Sequence, residues 1–160
     1  LAAVPLAFSE TGIKVQSKLM SHFLTFVLVG REDADVARRV RELMGPYFVA
    51  EGVYSSGDAR AKCDGYVIGG RYDGQLFGAE PEYDLTPAEF QARYGLDVLK
   101  DEENVRPASE VPEGLVPYAV VTPEGAWLDC EKKGAAVWAA EVRGLLRRYA
   151  DCLVVAVDCH

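Results

Sequence analysis

HFLTFVLV, residues 22–29, is the stretch whose reading decides the fold. It is β-branched and aromatic with almost no polar interruption, the pattern of a strand covered on both faces and therefore central in its sheet. A second run of the same kind, LVVAV at residues 153–157, is the last strand in the sequence. Two runs apolar on both faces belong beside each other, and an antiparallel pairing of residues 24–28 with 153–157 follows.

Between these runs the helical signals are clear. Residues 33–44 (DADVARRVRELM) place Val36, Val40, Leu43 and Met44 on one stripe, with acids in the first turn and Gly45-Pro46 as the stop. Residues 135–149 carry a second stripe of Trp138, Val142, Leu145, Leu146 and Tyr149, with Arg147 and Arg148 where the helix dipole favours cations. A short strand is expected at 66–70 (YVIGG), another at 47–54, and a hairpin at 118–122 and 126–130 around Pro123-Glu124-Gly125. Residues 12–19 (GIKVQSKL) alternate well enough to add an edge strand. This order predicts an α+β protein, a ferredoxin-like sandwich with one mainly antiparallel sheet and two helices on one face.

Residues 80–113 differ from their surroundings, holding ten acids against three bases and so carrying -7 of the chain's net charge of -8. Prolines 81, 87, 107 and 112 also fall there, which predicts a long solvated acidic excursion. One helix is expected inside it, from Thr86-Pro87-Ala88-Glu89 as cap, first turn and capping box to Gly95 as stop. The organisation expected is thus an N-terminal extension or arm at residues 1–19, and a single α+β domain at 20–160 with an insertion at 80–113. The apolar start, residues 1–8, has no basic flank and contains Pro5, so it is not read as a signal peptide.

Composition bounds the function. The 160 residues are 49% apolar and 26% charged, enough for an ordinary core without metal or disulfide support. A net charge of -8 disfavours direct nucleic-acid binding and anionic membranes, and no run of about 18 apolar residues offers a membrane span. Cys63, Cys130, Cys152 and Cys159 form no CxxC pair and read as buried small hydrophobes in a reducing cytoplasm.

The two histidines of the chain, His22 and His160, stand at the start of the first strong strand and the end of the last. If those strands are antiparallel neighbours, the two ends meet, and strand alternation puts Asp158 on the same face as His160 with Cys159 opposite. Two imidazoles and a carboxylate are a sufficient ligand set for a divalent metal such as zinc or manganese. The competing reading is a hydrogen-bonded cluster at a frayed strand end. Gly69-Gly70-Arg71 is the second candidate, since paired glycines allow close backbone approach and an arginine grips phosphate or carboxylate. If the strand before it runs antiparallel to the last one, both candidates belong to one site. No Walker A loop, GxGxxG turn or nucleophile elbow is present.

Four segments in order, Met20-Ser21-His22-Phe23, residues 62–74 (KCDGYVIGGRYDG), residues 118–127 and Val157-Asp158-Cys159-His160, together resemble a family of small uncharacterised proteins encoded by bacteriophages and prophages. The chain departs from that family's middle motif, which carries tryptophans at the positions of Cys63, Gly65 and Tyr72. The resemblance implies a phage-derived accessory protein in the host cytoplasm, and no activity. The expected partner is a host protein with a basic surface or a small anionic, nucleotide-like ligand. A metal-dependent phosphate-ester hydrolase using His22, Asp158, His160 and Arg71, and a virion or assembly component, are the alternatives.

Overall fold

The computed structural model describes residues 7–8, 14–15, 22–48, 61–79, 88–89, 92 and 101–160. Its centre is a six-stranded mixed sheet. Strand β1 (Phe23–Gly30) lies between β6 (Cys152–Cys159), antiparallel to it, and β4 (Ala119–Val121), parallel to it. Strand β5 (Trp127–Asp129) pairs with β4 as the second arm of the expected hairpin. On the other side, the outer edge of β6 is shared by β2 (Tyr66–Ile68) and β3 (Val105–Pro107), both antiparallel to it. The expected antiparallel pairing of the two apolar runs is present, with the register one residue further along: Leu24 stands opposite Asp158 and Leu28 opposite Val154.

Each face of this sheet carries its own core. Leu24, Phe26, Leu28, Val120, Val154 and Ala156 pack against α2 (Ala135–Arg148) through Trp138, Ala139 and Val142. Phe23, Val27, Val29, Ala119, Val121, Val155 and Val157 pack against α1 (Val36–Met44) through Val40, Leu43 and Met44. Asp35 caps α1, its carboxylate accepting from the Arg38 N–H. Burial of both sheet faces is why β1 and β6 read as continuous apolar runs.

The ferredoxin-like expectation is corrected here. The two helices lie on opposite faces, not one, and the inner strand of the hairpin is its first arm rather than its second. The physical reason is the double burial itself, because a strand apolar on both faces needs a helix on each. The solvated excursion is also corrected over residues 101–113. Val105–Pro107 is a strand of the sheet, and Asn104 and Ala108 are buried. Strand β2 covers only the Val157–Cys159 end of β6, so without Val105–Pro107 the remaining edge would expose unpaired backbone groups.

Ala88, Glu89 and Ala92 are helical, as expected, while the rest of residues 80–100 lies outside the described residues. Lys14–Val15 pairs with Ala7–Phe8 in a separate two-stranded ladder instead of extending the main sheet; the remainder of 12–19 is outside the description. Of the strand expected at 47–54, Tyr47 sits in a 3-10 turn and Phe48 makes one bridge to Cys63; 49–54 are not described. Among the described residues, no helix is long and apolar enough to cross a membrane.

Candidate metal centre

The register that pairs Phe23 with Cys159 brings His22 opposite His160 when continued by one residue. Their ring centroids are 5.2 Å apart and the rings are tilted by 32°. Asp158, two residues before His160, shares their face, and its Oδ1 lies 2.8 Å from His22 Nδ1. The ligand atoms of His22, Asp158 and His160 all fall within 4.8 Å of one another. Cys159 points to the other face, where its Sγ meets Thr25 Oγ1 at 3.3 Å. Burial and the neighbouring Cys63 push the Cys159 thiol well up, which suits an inert core residue.

His160 does not fray. Its carbonyl accepts from the N–H groups of Asp64 (2.6 Å) and Gly65 (3.1 Å), and its own N–H donates to the Gly65 carbonyl at 3.0 Å. The ring leans across Gly65, where an added Cβ would stand 3.3 Å from Nε2, so the close approach favours glycine at that position. Among the described residues, His160 Nδ1 is buried and finds no hydrogen-bond partner. A buried imidazole nitrogen in that state loses its solvation with nothing in return, unless a ligand supplies the missing interaction.

Gly69-Gly70-Arg71 arrives at the same place, but with its backbone. The stretch after β2 turns through Gly69 and Gly70, both at positive φ, into a 3-10 turn at Gly70–Tyr72. The Arg71 N–H donates to Asp158 Oδ2 at 2.9 Å. Gly70 presses on the carboxylate so closely that a Cβ there would stand 2.5 Å from Oδ2. The glycine turn thus grips an anion, and that anion is the protein's own Asp158. This explains how a carboxylate with a side chain only 1% exposed is accommodated, since a buried charge requires hydrogen-bond partners.

The turn is braced by Asn104, a residue with no signal in the sequence that would have marked it. Its Nδ2 donates to Asp73 Oδ1 at 2.7 Å and its Oδ1 accepts from the Gly74 N–H at 3.2 Å. Gly65 and Asn104 are the two site-shaping residues that pattern reading missed. Gly65 was visible only as one letter of the KCDGY motif.

Chemically, the 2.8 Å contact already brings His22 Nδ1 and Asp158 Oδ1 together as two donor atoms, and a cation taking the place of the shared proton would be held by both. Tetrahedral zinc with nitrogen and oxygen donors at about 2.0–2.1 Å places donors roughly 3.3 Å apart. Closure from a spread of up to 4.8 Å requires shifts of about 1.5 Å, which rotation of the partly exposed His22 ring can supply. Three protein ligands leave a coordination position open. No protein-family model matches this chain, and neither a curated protein nor a solved structure is found to be similar to it.

Proposed function

We propose that the protein binds a divalent cation, zinc or manganese, through His22, Asp158 and His160, and uses the open position to hold a small anionic ligand such as a phosphate group. The observation that carries this reading is the three-residue donor cluster containing a buried imidazole nitrogen without a partner. Arg71 supports it, because the turn that seats Asp158 also starts the arginine side chain beside the donor cluster. The cation polarises the bound oxygen and the guanidinium offers a planar pair of donors. Slow hydrolysis of a phosphate ester is the alternative outcome of the same geometry, in which a water at the open position would act as the nucleophile. Within the phage-derived accessory role suggested by the resemblance, a site of this kind serves sensing or sequestration of a phosphorylated small molecule.

Calorimetry tests the reading. Wild-type protein freed of metal is titrated with zinc and manganese chlorides, then with inorganic phosphate in the presence and absence of the cation. One equivalent of metal, lost in His22→Ala and in His160→Ala, and phosphate binding that requires the metal are the expected results. Equal heats in wild type and both variants overturn the reading. Release of p-nitrophenol from its phosphate ester, abolished in the same variants, selects turnover over binding.

A further inference from the structure

On the opposite face of the sheet, at the same end, lies a pocket of about 240 Å3 lined by Phe23, Tyr118, Trp127, Asp129 and Glu131, with Ala61 and Lys62 at its side. Strand alternation builds it. Phe23 of β1 and Trp127 and Asp129 of β5 project to the α1 face, and Tyr118 stands just ahead of β4. The Phe23 and Tyr118 rings are 4.8 Å apart, and Trp127 meets Phe23 edge-on at 6.1 Å. Tyr47 packs on Trp127 from outside the pocket lining, 5.1 Å between centroids.

Both carboxylates are held by the polar edges of these aromatics. Trp127 Nε1 donates to Asp129 Oδ2 at 2.9 Å, Tyr118 OH donates to Glu131 Oε1 at 2.6 Å, and the Glu131 N–H donates to Asp129 Oδ1 at 3.0 Å. Burial and the adjacent Glu131 raise the Tyr118 phenol well above its ordinary value, so it remains the donor of that bond. A carboxylate offers about four lone-pair directions, and these bonds leave acceptor capacity on each. Aromatic rings next to two anchored negative charges attract a cation and repel an anion. Lys62 is the one basic side chain among the described lining residues, and it opposes the effect in part.

We propose that this pocket binds an organic cation with N–H donors, a guanidinium or primary ammonium group on a short apolar stem. The stem lies against the rings and the N–H groups reach Asp129 and Glu131. The site is independent of any metal at Asp158, being on the other face of the sheet.

The test is a titration of the full chain with n-butylguanidinium, followed through the Trp127 indole N–H resonance and assigned with Trp127→Phe. Saturable shifts at Trp127, Asp129 and Glu131, with the Trp138 indole unmoved, are expected. The exposed Glu131→Gln keeps an acceptor for Tyr118 but removes the charge, and should weaken binding roughly tenfold, equivalent to about 1.4 kcal/mol. Lys62→Met should tighten it. Tetramethylammonium, a cation without N–H donors, and 1-pentanol, an uncharged stem, should bind more weakly than the guanidinium. No saturation by n-butylguanidinium, unchanged affinity in Glu131→Gln, or equal binding of tetramethylammonium would each overturn the proposal.

Discussion

Gly70→Ala should be far more damaging than its single methyl group suggests, and the structure separates its cost into two parts. The first is backbone conformation, since φ at Gly70 is +54° and an L side chain in the left-handed region costs about 1–2 kcal/mol. The second is displacement of Asp158, because the new Cβ would stand 2.5 Å from Oδ2 and 2.7 Å from the aspartate Cβ. Moving the carboxylate forfeits the bond from the Arg71 N–H, and hydrogen bonds to a charged group contribute about 1.5–3 kcal/mol. The sum, about 2.5–5 kcal/mol, would lower a urea midpoint by about 1–2.5 M for a slope near 2 kcal/mol/M. Gly125→Ala is the matched control. Its φ is +93°, yet an added Cβ meets nothing within 4 Å, so only the conformational part applies. Urea unfolding followed by circular dichroism should therefore place Gly70→Ala well below Gly125→Ala. Equal losses in the two variants would refute the claim that the glycine turn is packed around Asp158.

Two further outcomes follow from the buried polar groups. Asn104→Ala should lower stability by about 1–3 kcal/mol by leaving the Gly74 N–H and the Asp73 carboxylate without their partner; a thermal midpoint equal to wild type would show that the brace is dispensable. Burial, with Asp129 nearby, pushes the Cys130 thiol up to about 11 from a reference of 9.0, so the folded state holds that proton more tightly than the unfolded chain does. The associated stabilisation is complete below pH 9 and is lost as pH rises from about 9 to 11, and urea midpoints across that range should fall less steeply in Cys130→Ala than in wild type.

The central pairing and the meeting of His22 with His160 were legible because both depend on short-period patterns. Two runs apolar on both faces must be inner strands, and their antiparallel register then dictates which ends meet. The side taken by each helix was not legible for the same reason. A strand such as FLTFVLVG has no polar face, so it calls for cover on both sides and hence three layers, but it does not say which helix covers which side. The strand at Val105–Pro107 was hidden by its setting, with Asp101-Glu102-Glu103 ahead of it and two prolines at its end and beyond. Its pairing is decided by the uncovered edge of β6, which is a property of the assembled sheet. Likewise the glycine turn suggested an anion site, but that the anion would be Asp158, with the Arg71 N–H as donor, depends on a contact spanning 87 residues. Local sequence carries no record of such a contact.

The account rests on His22, Asp158 and His160 acting as one ligand set. Its most direct test is a crystal structure of the protein grown with zinc, with anomalous data collected on both sides of the zinc absorption edge. The expected result is one strong edge-dependent peak within about 2.0–2.2 Å of an imidazole nitrogen of His22, a carboxylate oxygen of Asp158 and an imidazole nitrogen of His160. The Arg71 N–H should still hold the carboxylate. A well-ordered crystal of this kind with no peak between those three side chains, and His22 Nδ1 still 2.8 Å from Asp158 Oδ1, would contradict it.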